Sequence, residues 1–278
     1  MLHAFIFICP KTPIGKKTRK GYCKNMSNHS STSWNRDHKW YVELTRNRGH
    51  DYHTHVILPR LLPHLPTSAE GSILEMGCGS GVLARVISPS VSYTGVDNAP
   101  QLLQAARKND MSKKHVYISA NATKIATLPP KKFTDAVFLL SLQNMDDGAS
   151  ALQQASRALQ QSGTLHLVLN HPCFRIPQYA DWSYDEKRKK IGRILFTYLT
   201  PLRITIIHHP GKKKSAHSYS FHNSLSTYMD WLRTAGLGII HIEEWTSHKK
   251  SVGTRAKEEN EARKEIPVFL YLKAKFLL

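Results

Sequence analysis

From residue 72 onward, apolar and polar positions alternate in blocks that change period. Short apolar runs of strand length, "SILEMG" (72–77), "VSYTGVD" (91–97), "HVYISAN" (115–121), "FTDAVFLLSL" (133–142) and "TLHLVLN" (164–170), are separated by stretches of helical spacing. "GVLARVIS" (81–88) and "APQLLQAARKND" (99–110) read as helices, the second with Pro100 in its first turn. "DGASALQQASRALQQSG" (147–163) reads as a helix ended by Gly163, with Leu152, Ala155 and Leu159 forming its buried stripe. Strand and helix in alternation predict a parallel sheet with crossover helices on both faces.

Beyond 171 the rhythm loosens. "RITIIHHPGKKKSAHSYSFH" (203–222) predicts a hairpin turning at Pro210-Gly211. "SLSTYMDWLRTAGL" (224–237) predicts a helix capped by Ser224 and closed by Gly236. "GIIHIEEW" (238–245) reads as a strand, "TRAKEENEARKE" (254–265) as a charged helix and "IPVFLYLKAKF" (266–276) as a final strand. Upstream, residues 34–65 carry helical patterning interrupted by Pro59 and Pro63, while 1–33 are polar, basic and aperiodic and predict a disordered tail. Met26 opens a more ordinary protein start, so the first 25 residues read as a candidate upstream extension.

Composition narrows the class. With 278 residues, 41% of them hydrophobic, the chain can bury a substantial core. No apolar stretch approaches the ~20 residues that span a bilayer, and the apolar start lacks a basic lead and a cleavage site, so a cytoplasmic protein without membrane contact is expected. Four scattered cysteines form no CxxC pair and make no metal-spaced cluster with the histidines, so no metal site is expected. The net charge of +19 is uneven: residues 1–36 hold seven Lys/Arg and no acid, and 187–278 hold eighteen basic against seven acidic residues. The central stretch is nearly neutral, so the excess reads first as a solvated lysine-rich surface and second as a nucleic-acid signature.

The chemistry concentrates in "ILEMGCGSGVLARV" (73–86). Gly77, Gly79 and Gly81 fall at the first strand-to-helix turn, at the carboxyl edge of the sheet where ligands bind in open α/β folds. They allow a tight turn and the approach of a ligand to bare main chain. The spacing is G-x-G-x-G, with Val82 where a dinucleotide fingerprint has its last glycine, and no Lys follows as in a phosphate loop. Glu75, two places before the first glycine, favours a cationic or amine-bearing ligand. Asp97 closes the second strand, where its carboxylate can accept bonds from both hydroxyls of a ribose.

On these residues the chain resembles a known family. "LEMGCGSGVLARV", "YTGVDNAPQLLQAA", "ISANATKI", "FTDAVFLLSLQNM" and "SRALQQSGTLHLVLN" are similar, in order, to the motifs of class I S-adenosylmethionine-dependent methyltransferases, in particular the small-molecule group called methyltransferase type 11. The resemblance covers about 70–171 and implies a Rossmann-like fold: a mostly parallel seven-stranded sheet with helices on both faces and a substrate-covering insertion. The cofactor implied is S-adenosyl-L-methionine. Gly77, Gly79 and Gly81 would line its methionine part, Glu75 would support its amine, and Asp97 would hold its ribose. Asn98, Asn121, Ala122, Ser141 and Tyr52 complete the implied cofactor set. Asn121 stands where the family often has Asp on the adenine amine. A looser likeness over 34–275 to a bacterial subgroup implies one catalytic domain, 34–278: cofactor core 70–171, insertion about 172–223, and sheet completion 224–278.

Candidate substrate residues sit where the chain crosses the sheet's carboxyl edge. His171 follows the fifth strand and has the pKa range of a general base; Arg175 suits a carboxylate or phosphate; His222 ends the second strand of the predicted hairpin. Cys173 reads as a packing residue. The basic runs 187–190 and 212–214 would guide an anionic substrate if they share a rim. The N-P-P-Y motif of many base-amine enzymes is absent after the fourth strand, where "SLQNMDD" stands, so the partner expected is a small molecule, anionic or neutral, methylated on oxygen or carbon. An RNA methyltransferase with the same cofactor is the alternative, and a noncatalytic cofactor-binding protein the second.

Overall fold

The computed structural model describes residues 34, 38–45, 49–208 and 217–277. The basic tail 1–33 and the hairpin turn expected at Pro210-Gly211 lie outside the described residues. The chain begins with α1 (His38–Leu44); a wide helical turn at His53–Ile57 then runs into the short α2 (Leu58–Leu61). Then follow β1 (Ser72–Met76), β2 (Ser92–Asp97), α3 (Pro100–Asn109), β3 (His115–Ser119), β4 (Phe133–Leu139), α4 (Gly148–Ala158) and β5 (Leu159–Asn170). Two hairpins, β6 (Ala180–Asp185) with β7 (Lys190–Leu195) and β8 (Leu202–Ile207) with β9 (His217–His222), precede α5 (Leu225–Thr234), β10 (Leu237–Trp245), α6 (Ala256–Glu265) and β11 (Phe269–Phe276).

Seven strands form one sheet in the order β10-β11-β5-β4-β1-β2-β3. The five strands from β5 to β3 pair in parallel, and β11 and β10 add an antiparallel edge. Strand order reverses between β1 and β4, which puts the crevice for a ligand above those two strands. Both sheet faces are covered. Leu74, Met76, Phe138, Leu165 and Leu167 face α4 and α5, while Ile73, Tyr93, Val137 and Val168 face the segment 52–65 and α3. Alternate residues of each strand therefore enter opposite cores, as the period of two requires.

Three elements differ from the sequence expectation. Residues 82–87 form successive turns rather than a regular helix, mixing bonds three residues back (Val86 N–H to Leu83 O, 3.0 Å) and four back (Arg85 N–H to Gly81 O, 3.4 Å). The β-branched Val82, Val86 and Ile87 fit a helix poorly, and burial of Val82, Leu83 and Ile87 holds the segment instead. Helix α4 stops at Ala158, five residues before Gly163, because the N–H groups of Lys131 and Lys132 take the carbonyls of Arg157 and Ala158. Gly163 instead lies in β5, at a register shift where a Cβ would stand 2.9 Å from the Gln160 carbonyl. The β6–β7 hairpin was not foreseen, since its polar turn Asp185–Lys190 carries no hairpin signal.

The helix preceding β10 matches its reading closely. The Ser224 hydroxyl accepts from Thr227 N–H at 3.4 Å, and Gly236 takes the left-handed φ of +78° beyond the last turn. Ser224→Ala is expected to cost about 1 kcal/mol of folding stability, read as a lower urea midpoint at unchanged slope.

Candidate active site

Three left-handed glycines build the turn after β1: φ is +77° at Gly77, +53° at Gly79 and +73° at Gly81. Gly77 and Cys78 both donate to the Val96 carbonyl, at 2.7 and 3.0 Å, which folds the turn back over β2. A Cβ on Gly77 would stand 2.6 Å from Cβ of Ser141, and one on Gly81 would stand 3.1 Å from Cβ of Ala106. These two glycines are thus required by backbone conformation and by protein packing. At Gly79 the nearest group is the Tyr41 ring of α1, 3.3 Å from such a Cβ, so the bare main chain there faces the covering helix and not the sheet.

Asp97 joins turn to strand. Its Oδ2 accepts from Gly79 N–H and its Oδ1 from Ala99 N–H, both at 2.8 Å. Burial pushes its pKa up, opposed by these backbone donors. Asn98 N–H adds a third backbone bond, and with about four acceptor sites the carboxylate retains capacity for a further donor. Asn98 beside it is exposed. Ser141 is buried and donates to the Met76 carbonyl at 2.5 Å, tying the end of β4 to the end of β1. Asn121 is exposed, and its Oδ1 accepts from both N–H and hydroxyl of Thr123 at 3.0 Å. Its free amide NH2 is therefore the group left for a ligand, a donor rather than the acceptor that the family's Asp supplies. Ala122 is buried next to it.

Glu75 lies beneath the turn, 2% exposed, where it accepts a hydrogen bond from the Tyr93 hydroxyl. Burial raises its pKa to about 8. The structure thus places it inside the core that supports the glycines. Tyr52 sits away from the turn: its hydroxyl is 3.0 Å from Ser247 Oγ, and its ring packs on Phe269 and beneath the guanidinium of Arg175.

Residues that sequence reasoning passed over fasten α1 across the turn. Thr45 Oγ1 and Ser80 Oγ lie 2.7 Å apart, while Arg85 donates from Nη1 to the Ser80 carbonyl at 2.5 Å and from Nη2 to the Thr45 carbonyl at 2.8 Å. Tyr41 is thereby held over Gly79; burial first, and then the charge of Asp97, raise its phenol pKa. No local spacing connects residues 35 to 40 positions apart, so only the fold reveals the arrangement.

Beside the turn, over the carboxyl ends of β4 and β5, lies a small cleft of about 20 Å³ lined by Gln143, Asn170, Pro172, Arg175, His222 and Tyr228, among others. Two of the three candidate substrate residues meet there, and the third does not. His171 is 1% exposed with both nitrogens engaged: Nε2–H donates to Glu244 at 2.7 Å and Nδ1 accepts from Cys173 N–H at 3.2 Å. Neither lone pair is open, so His171 fixes the turn after β5 against β10 and the expected base role does not suit its geometry. His222 is the converse. Its Nε2–H donates to the Tyr198 carbonyl at 2.7 Å, which sets the tautomer and leaves Nδ1 with a lone pair in a cleft residue. Burial lowers its pKa and keeps the ring neutral near pH 7. Arg175 lines the same cleft.

This sheet order, with a glycine turn and a strand-end acid at the reversal point, defines a Rossmann-like class I methyltransferase fold. Residues 74–167 match the family model described as a methyltransferase domain, in its type 11 form, and so carry that domain. Solved structures show the same fold. A S-adenosylmethionine-dependent methyltransferase of Mesorhizobium loti is 23% identical, with TM-score 0.60, over 78% of this chain and 95% of its own. A Listeria monocytogenes protein described as a methyltransferase of that kind is 20% identical, with TM-score 0.58, over 79% and 97%. A Haloferax volcanii protein, solved in complex with the methyltransferase activator Trm112, is 15% identical, with TM-score 0.56, over 88% and 95%. No curated protein matches the chain. The chemistry of the residues present fits the cofactor: a strand-end carboxylate held by backbone donors stands directly beside the glycine turn, at the point where strand order reverses. Among the described residues no helix is long and apolar enough to cross a membrane.

Two outcomes follow from this geometry. Asp97→Asn should weaken S-adenosylmethionine binding by roughly 10- to 100-fold, the worth of a charge-assisted bond, measured by calorimetry. Glu75 has a folded pKa near 8 against an ordinary 4.5, so it contributes stability that is complete below pH 4.5 and lost as pH rises through 8. Glu75→Gln should flatten that decline in melting temperature across pH 5–9.

Proposed function

We propose that the protein methylates a small-molecule acceptor, on oxygen or carbon, in the cleft beside the glycine turn. The observation that carries this reading is His222: a buried, neutral imidazole that lines the cleft, whose Nε2–H is held by a backbone carbonyl and whose Nδ1 therefore keeps a lone pair. Bound S-adenosylmethionine supplies a methyl group already activated on positively charged sulfur. Asp97 and the main chain of Gly77–Gly81 hold the cofactor, and Asn121 and Ala122 border its base. Nδ1 of His222 takes the proton that the acceptor hydroxyl or carbon acid gives up.

Enclosure supports a small acceptor. The insertion 172–223 covers the cleft: its hairpin strand β9 supplies Ser220, Phe221 and His222, and the turn after β5 supplies Pro172 and Arg175. The basic run 187–190 sits at the exposed β6–β7 turn, where Arg188 pairs with Asp185 at 2.6 Å and Lys189 with Glu186 at 3.4 Å. Those two cations are met locally by acids, which weakens the case for RNA. The second run, 212–214, lies outside the described residues.

Incubating the protein with methyl-labelled cofactor and fractionated lysate should label a small extractable compound; label in nuclease-sensitive material would overturn the reading. His222→Gln should lower kcat by roughly 10²- to 10⁴-fold, the usual contribution of a positioned base, with cofactor affinity unchanged. In the unaltered protein kcat should rise with pH through a pKa below 6.5, and His222→Gln should abolish that limb.

A further inference from the structure

Arg175 is a half-buried cation packed against two aromatic rings. Its guanidinium carbon lies 5.0 Å from the ring centroid of Phe269 and 5.5 Å from that of Tyr52. Among the described residues no carboxylate pairs with it, and its Nη1 is sealed from solvent with no hydrogen-bond acceptor. Arg193 adds positive potential nearby, its own Nε being spent on the Phe174 carbonyl at 2.9 Å. Aromatic faces offset part of the cost of burying such a charge, but they leave the N–H groups unsatisfied.

A second orphan lines the same cleft. Oε1 of Gln143, on the turn after β4, is buried with no donor. Arg175 and Gln143, each with one unpaired polar atom sealed from solvent, line a single cleft with Asn170, Ser220 and His222. Buried polar groups in folded proteins are almost always satisfied, and a ligand that opens the cleft and meets both would satisfy them. It needs an anionic oxygen for Arg175 and a hydroxyl for Gln143. The cleft is small, and a planar carboxylate matches a guanidinium edge better than a bulky tetrahedral phosphate does.

We infer that the methyl acceptor is a small hydroxy carboxylic acid, held through its carboxylate by Arg175 and oriented by the amide of Gln143. This inference rests on the methyltransferase reading of the same site and adds the substrate class. Arg175 acts there as a specificity residue, since an acceptor lacking the acid leaves it as unpaired as it is without ligand.

The test uses the full chain with sodium glycolate, glycerate and 4-hydroxybenzoate as probes, each beside its neutral amide. Titrations followed by melting temperature at constant ionic strength should show acids binding about tenfold or more tightly than amides, as for a hydrogen bond to a charged group. Arg175→Met should erase that preference while calorimetric S-adenosylmethionine affinity stays unchanged. Without ligand, the same variant should melt at an equal or higher temperature, because it removes a half-buried charge with a sealed, unpaired Nη1 at similar volume. A marked fall in melting temperature would make the guanidinium a structural element and overturn the inference, as would equal binding of acids and amides or no binding of either. Arg175→Lys, which keeps the charge, should retain part of the acid preference and guards against misfolding of the Met variant. Failure of the unaltered protein to take up S-adenosylmethionine would instead sink the broader reading.

Discussion

The Asp97 carboxylate is the joint on which the cofactor crevice depends. It ends β2, accepts from Gly79 and Ala99, and so ties the glycine turn to the start of the following helix. Without it the turn after β1 would be anchored to β2 through the Val96 carbonyl alone. The same group has to be buried, which raises its pKa, and to stay ionised, which the backbone donors favour. In the proposed reading the same side chain that holds the turn also meets the ligand, through lone pairs the backbone leaves unused.

The cleft next door shows the opposite economy. The cofactor turn is almost fully satisfied within the chain, whereas the Gln143 and Arg175 ends are not. Two further unmet atoms, on Gln101 and His115, lie away from the cleft, so the pair on Gln143 and Arg175 is the one that shares a concave surface. Such groups lower the stability of the folded chain, and they reward a ligand that meets them, a common trade at sites of recognition.

The sequence disclosed the sheet because strand-length apolar runs between helical stretches admit few other folds, and it placed Asp97 at the end of β2, whereas the backbone bonds that Asp97 makes to Gly79 and Ala99 could not be read from spacing. Gly163 misled because glycine also marks bulges; what ended α4 was capture of its last carbonyls by Lys131 and Lys132, far back in the chain. His171 and His222 were indistinguishable by pattern. Only the partners of their ring nitrogens, Glu244 with Cys173 in one case and the Tyr198 carbonyl in the other, separate a clamp from an open lone pair. Gln143, Tyr41, Thr45 and Arg85 went unnoticed because each gains its role through a contact distant in sequence.

The tether across the glycine turn is written largely in main chain. Arg85 grips two carbonyl oxygens, those of Ser80 and Thr45, and every amino acid presents the same carbonyl. Evolutionary drift at positions 45 and 80 would thus erode only the contact between their hydroxyls, while the arginine itself has no substitute of equal reach and fork. The helix that roofs the crevice is in this sense inherited through a single codon.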